Sequence, residues 1–339
     1  MALKIPTSWK LAQLKTIAFK CGISTSGTKG VLTQRLHHEI QPAHHAKDMH
    51  TRILSIDMGI RNLAYCVVDV PHTLLSPPTI STRKISLPMI DSWHRIAVSS
   101  PPSTPIGSEG TLKAAKESFS PATLSASAYK LIRHTLLLQN PTHILIERQR
   151  FRSMGSKHIL EWTVRVNMFE SIIYAILCTM KEEGIWNGRV VSILPGKVGP
   201  YWVGEQEEVK AGIVDGDIKA QKKNRSSKTA KIINKGLKID LVRRWLEAGD
   251  VVGLGNEAVE DRARRYMQKW DRLPGGRKGA KKGEKLEEEM GKLDDLADCL
   301  LQGMAWIQWE KNKNIALERV EALLDEADLD NLKAKKKAK

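Results

Sequence analysis

Two short apolar runs in this chain end in a carboxylate, and that placement constrains it more than any other feature. Ile53, Leu54 and Ile56 lead into Asp57, and Ile144-Leu145-Ile146 leads into Glu147. Both runs are short and rich in β-branched residues, so they read as buried strands. An acid closing a buried strand is costly unless it meets a cation or a hydrogen-bond donor. A third acidic group, Asp294, Asp295 and Asp298, opens Leu293–Trp309, an otherwise apolar stretch that reads as a helix. On a helix, Asp295 and Asp298 are three apart and Asp294 and Asp298 four apart, so either pair shares a face.

Each acid taken singly has an ordinary structural explanation. Asp57 suits a turn ahead of Gly59, Glu147 can pair with Arg148 or Arg150, and Asp294 and Asp295 favour a helix N-terminus through its dipole. None of these explains the order strand–acid, strand–acid, helix–acids. Carboxylates converging from two strands and a helix suit a hard divalent cation: magnesium, with manganese as a substitute. Two such ions about 4 Å apart activate a water and stabilise the leaving oxygen of a phosphodiester.

Charge supplies the partner class. The 339 residues carry 54 Lys+Arg against 38 Asp+Glu, a net charge of +16. That excess points to a polyanion without choosing between DNA, RNA and anionic lipid. Apolar runs such as Ile172–Cys178 fall short of the roughly 20 residues that span a bilayer, so no membrane partner is expected. Cys21, Cys66, Cys178 and Cys299 are isolated among apolar neighbours, which suggests buried free thiols rather than a disulfide framework.

The first 38 residues hold six Lys/Arg and no acid. A helix is expected from about Trp9 to Lys20, capped by Thr7 or Ser8. Gly22 stands at a C′ position, and a second helix follows Thr28 with Val31, Leu32, Leu36 and Ile40 inward. Residues 41–51 read as a linker, and its histidines, with His37 and His38, as solvated. Residues 52–312 form the core. Arg52–Val70 reads as a hairpin, residues 83–97 as a third strand, 99–121 as a loop and Tyr129–Gln139 as a helix. His143–Glu147 and Val190–Leu194 read as strands and 157–183 as a long helix. Basic insertions are expected near 199–230, read as irregular, and near 272–291. Ile232–Glu247 reads as a helix, and 313–339 as an acidic helical segment with a Lys-rich tail.

The three acidic motifs together carry a family resemblance. Ser55-Ile56-Asp57-Met58-Gly59-Ile60-Arg61-Asn62-Leu63-Ala64 resembles the first strand of RuvC-like nucleases of the ribonuclease H superfamily. Ile144-Leu145-Ile146-Glu147-Arg148-Gln149-Arg150-Phe151-Arg152 is similar to their second acidic motif, and Lys292-Leu293-Asp294-Asp295-Leu296-Ala297-Asp298 to their C-terminal helix motif. The set most resembles the fungal mitochondrial Holliday-junction resolvases over roughly residues 52–310. The resemblance implies a mixed α/β sheet flanked by helices, and Asp57, Glu147 and Asp298 as catalytic metal ligands. It leaves Asp294 and Asp295 open as the fourth ligand. It also implies four-way junction DNA as substrate, nicks with religatable 5′-phosphate and 3′-hydroxyl ends, and a mitochondrial location. Residues 1–40 resemble a SAP module through Leu11, Leu14, Lys15, Gly22, Gly27, Lys29, Leu32, Arg35 and Leu36.

Expected DNA contacts follow the basic residues. Arg148, Gln149, Arg150 and Arg152 lie just beyond Glu147, where a guanidinium fork suits a phosphate. Lys197 follows a strand. Lys228, Lys231, Lys235 and Lys238 share roughly one face if residues 228–246 are helical. Lys15, Lys29 and Arg35 belong to the SAP-like module. Trp162, Trp186, Trp245, Trp306 and Trp309 read as core or interface residues rather than stacking platforms. Paired nicks call for a two-fold homodimer, with helix 157–183 as the candidate interface. Rival readings are another ribonuclease H-like nuclease acting on RNA–DNA hybrids or in transposition, an actin-like kinase, and a non-catalytic DNA binder. The kinase requires a second phosphate hairpin, for which Asp215-Gly216 and Gly253-Leu254-Gly255 are poor substitutes.

Overall fold

A computed structural model describes residues 3–42, 50–75, 86–98, 117–149, 159–211, 227–271 and 292–324, with the side chains of 204–211 and 227–233 left aside. The elements run α1 (Leu11–Lys20), α2 (Lys29–Glu39), β1 (Thr51–Asp57), β2 (Leu63–Val70), a single turn α3 (His72–Leu75) and β3 (Met89–Ile96). They continue with α4 (Pro121–Leu131), β4 (His143–Glu147), α5 (Glu161–Glu182), β5 (Arg189–Ile193), α6 (Pro195–Ala211), α7 (Ser227–Ala248), β6 (Gly253–Leu254), α8 (Glu257–Asp271) and α9 (Leu293–Arg319).

One six-stranded sheet has the order β5-β4-β1-β2-β3-β6. β1, β2 and β3 form an antiparallel meander, while β4 lies parallel to β1 and β5 parallel to β4. A mixed sheet flanked by helices is the arrangement that the acidic motifs imply. Strand alternation splits the core in two. Ile53, Cys66, Leu145 and Ile193 face α6, α7, α8 and α9. Leu54, Ile56, Ile144 and Ile146 face α4 and α5. α9 is buried on nearly all sides between Leu296 and Ile307, which explains its apolar sequence.

The far end of α9 reaches the N-terminal unit. Ala316, Val320, Leu323 and Leu324 share a core with Leu14, Ile17, Leu32 and Leu36 of α1 and α2. Trp309 lies where a Cβ on Gly22 would stand, 2.3 Å from Cδ2, and Gly22 has φ +66°. Asn312 Nδ2 donates to Lys20 O at 2.6 Å.

Several expectations are corrected. Residues 199–211 belong to α6, not an irregular insertion. Gly199 and Pro200 read as breakers, but the burial of Val198, Tyr201 and Val203 outweighs one lost helical hydrogen bond. α4 starts at Pro121 on a Ser120 cap, eight residues before the expected helix, and continues through π and 3-10 turns to Gln139. α8 occupies a stretch for which no element was expected. α1 is capped by Lys10 and Gln13 rather than Thr7 or Ser8. Val31 is exposed and leans on Gly27, and Cys178 is exposed while the other three cysteines are buried. Trp162 is also exposed. α5 is long and apolar enough to cross a bilayer by length and composition, yet one of its faces packs on the sheet.

Gly22→Ala is expected to cost about 2–3 kcal/mol, since it combines a left-handed backbone with overpacking. The denaturant midpoint of unfolding measures this, and an unchanged midpoint would refute the Gly22–Trp309 contact.

Candidate active site

Strand register brings the first two acids together. β1 and β4 run parallel with Ile56 opposite Ile146, and the next residue of each strand is its acid. Glu147 stands beside Asp57 and favours the protonated form of the Asp57 carboxyl. Burial, then Glu147, then Asp298 and Asp295 push Asp57 well above the usual carboxylate range.

The third contribution comes from α9, which Gln302 pins to β1. Its Nε2 donates to Ser55 Oγ and Ile56 O at 3.1 Å each, and Gly303 lets the helix close on Ser55. Asp298 stands four residues before Gln302 and therefore on the same face, beside Asp57 and Glu147. The sequence signal for Gln302 is a lone amide inside an apolar helix; on its own it does not specify this role.

Basic side chains surround the α9 acids. Lys238 Nζ lies 2.7 Å from Asp298 Oδ1, Lys235 Nζ 2.5 Å from Asp294 Oδ2, and Arg95 Nε 3.0 Å from Asp295 Oδ2. Arg95 also donates to Asn62 Oδ1 in the β1–β2 hairpin. Burial raises Asp298 while Lys238 lowers it. Burial and Asp294 raise Asp295 while Arg95 lowers it. Asp295 and Asp298 both act on Asp57, whereas Asp294 points its charge to Lys235 on α7.

Glu170 on α5 went unnoticed in the sequence. It is buried, and its Oε2 accepts from Gln149 N at 2.9 Å, bracing the turn after Glu147. Arg148 N donates to Ile193 O at 2.8 Å, so this turn is tied to both α5 and β5.

The other basic candidates lie elsewhere. Lys29 Nζ donates to Thr7 O at 2.8 Å, and Arg35 Nη1 donates to Ser24 O and Ser26 O at 2.8 and 2.7 Å. Lys197 Nζ donates to Gly22 O at 2.5 Å, and burial lowers its pKa. These three contacts lie in or against the N-terminal unit, away from the carboxylates. Lys15 is exposed on α1. Arg150, Arg152 and the side chains of Lys228 and Lys231 lie outside the described residues.

The donor set suits a hard cation. It is all oxygen and half-buried, and Glu147, Asp298 and Asp295 all act on the Asp57 carboxyl. Among the described residues no ready-made three-ligand cluster exists. The α9 acids are paired with Lys235, Lys238 and Arg95.

Asp57 makes this testable. Its folded pKa lies above its unfolded value, so the native state holds its proton more tightly. Its contribution is therefore present at low pH and is lost as pH rises through the raised pKa. In cation-free buffer, Asp57→Asn is expected to stabilise the protein at pH 7–8 by about 1 kcal/mol or more. Thermal unfolding across pH checks this, and a destabilised variant would contradict it.

Comparison with known proteins supplies the family. A family model described as mitochondrial resolvase Ydc2 / RNA splicing MRS1 matches residues 53–315. Cruciform cutting endonuclease 1, mitochondrial, of Schizosaccharomyces pombe is 26% identical over 306 residues, spanning 89% of this chain and 92% of the relative. Its namesake in Saccharomyces cerevisiae is 26% identical over 324 residues, spanning 89% and 82%. The crystal structure of the yeast mitochondrial Holliday junction resolvase Ydc2 superposes with a TM-score of 0.55 at 24% identity, covering 93% of this chain and 99% of that one, and shares the fold. The matched segment runs from β1 through most of α9 and so contains all of the clustered acids: this chain belongs to the mitochondrial resolvase Ydc2 / RNA splicing MRS1 family.

Proposed function

We propose that this protein is a mitochondrial, structure-selective DNA endonuclease that resolves four-way junctions. The observation that carries the reading is the convergence of Asp57, Glu147 and Asp298, backed by Asp295, at one end of the sheet. The relatives are named as mitochondrial cruciform-cutting endonucleases, which supports both the substrate and the location.

Asp57, Glu147 and Asp298 would hold divalent cations, magnesium or manganese, with Asp295 favoured over Asp294 as a further donor because it acts on Asp57. Bound there, such ions supply water activation and charge neutralisation for phosphodiester hydrolysis. The chain's own residues do the rest. Gln302 fixes the distance between α9 and β1. Arg95 ties Asp295 to the hairpin that follows Asp57. Glu170 holds the turn that presents Arg148 and Gln149. Lys235 and Lys238 offer cationic groups for the backbone of an entering strand.

The family description also names RNA splicing, which makes a non-cleaving nucleic-acid binder the second reading. A pure phosphate binder gains nothing from clustered carboxylates beside its basic residues unless cations bridge them. Asp57→Asn separates the two readings. Junction binding at stated salt is expected to persist while cleavage in magnesium falls by at least about a thousandfold, roughly 4 kcal/mol of barrier. Retained cleavage would remove Asp57 from the mechanism. Equal cleavage of linear duplex or RNA–DNA hybrid would replace a junction resolvase with another ribonuclease H-like nuclease.

Symmetric nicks require two active sites, and α5 supports a two-fold homodimer. Its inward stripe, Val166, Phe169, Ile173, Leu177 and Met180, is buried on the sheet. The opposite stripe, Val164, Ser171, Ala175 and Cys178, is exposed, with half-buried Met168 between. Its small side chains permit close, self-complementary helix packing. Ala175→Glu is expected to give monomers by sedimentation that bind junctions but no longer nick opposite strands in pairs. A dimer that survives this change would move the interface away from α5.

A further inference from the structure

Of nine tryptophans, Trp162 is the one that is exposed. It sits four residues before Val166 and seven before Phe169, on the inward stripe of α5. At that position Trp162 is exposed and meets Arg61 of the β1–β2 hairpin and Phe119 instead of the core. The Arg61 guanidinium lies 5.0 Å from the Trp162 ring and 5.5 Å from the Phe119 ring. Arg165 lies 4.4 Å from the Phe119 ring, and the two aromatic rings meet edge to face at 5.4 Å. Glu117 fixes Arg61 through bonds from Nε and Nη2 at 2.9 and 2.6 Å.

This cluster is built and it borders the candidate active site. Arg61 is four residues from Asp57, in the hairpin that Arg95 ties to Asp295 through Asn62. Exposed aromatic surface among fixed guanidinium groups matches a nucleobase with its flanking phosphates, because any base presents a π-face and arginine suits both ring and phosphate. Arg61 and Arg165 are each ion-paired, to Glu117 and to Glu161, which fixes both guanidinium planes beside the rings; a neutral apolar partner would leave those planes unused. The outward stripe of α5 lies on the opposite side of the helix, so a second copy docked there leaves Trp162 accessible.

We infer that Trp162, with Arg61 and Arg165, forms a stacking subsite for an unpaired base next to the cleavage site, taking a nucleotide released where the paired arms of a junction separate. This rests on the nuclease reading only for the role of the subsite, not for its chemistry.

The test measures the affinity of Trp162→Ala and Trp162→Phe for an oligothymidylate, a four-way junction and a linear duplex, at one salt concentration without divalent metal. Trp162→Ala is expected to lose roughly tenfold on the oligonucleotide and the junction and little on the duplex, with Trp162→Phe recovering most of the loss. Unchanged affinity for the oligonucleotide, or equal losses on all three, would overturn the subsite. So would conversion to a monomer with junction affinity lost in parallel, which would make Trp162 an interface residue. Wild-type cleavage in magnesium is recorded alongside. If the wild type does not cleave while the stacking pattern holds, the nuclease reading fails and the subsite stands.

Discussion

Two carboxyl groups crowded together at the ends of parallel strands set the terms for the rest of this molecule. Asp57 and Glu147 are neighbours because β1 and β4 are parallel and share one register. A slip of one residue would turn one acid to the other face of the sheet and separate them. The apolar residues before each acid prevent that slip, since Ile53 and Leu145 belong to one core and Leu54, Ile56, Ile144 and Ile146 to the other. The same hydrophobic pattern that builds the sheet therefore creates its electrostatic conflict, and the conflict is what a divalent cation would relieve.

α9 adds to the conflict and also contains it. It brings Asp298 and Asp295 toward Asp57, while Lys238, Lys235 and Arg95 from α7 and β3 balance the helix's own acids. Partly exposed ion pairs of this kind contribute little net stability; their value lies in fixing where charges stand. The helix can carry this load because it is anchored at both ends, by Gln302 on β1 and by Trp309, Asn312 and Ala316 on the N-terminal helices. The N-terminal unit is thus mechanically continuous with the helix that carries the acids. Lys29, Arg35 and Lys197 are used for that construction, each donating to a backbone carbonyl.

What could be read from the sequence followed local pattern. β2 and β4 run over Leu63–Val70 and His143–Glu147, as expected, because strand alternation and turn residues bound them on both sides. Asp57, Glu147 and Asp298 stood out because an acid beside apolar runs is conspicuous. α6 was not legible: its proline and glycines argue against a helix, and only the surface of α9 overrides them. Arg95, Glu170 and Gln302 were not legible either. Each is an ordinary polar residue whose role depends on a partner between 21 and 247 positions away. For Trp162, read as core or interface, exposure removes the core alternative. The residue keeps the spacing of a core position, but meets Arg61 and Phe119 instead.

The central claim is that Asp57, Glu147 and Asp298 form one cation site whose charge conflict is relieved by a divalent ion. Anomalous diffraction from crystals grown with manganese tests this directly. The account predicts manganese density bounded by Asp57, Glu147 and Asp298, with the Lys238 ammonium moved off Asp298. Manganese absent from these three carboxylates at millimolar concentration, or Lys238 still paired with Asp298 beside an ion bound elsewhere, would contradict it.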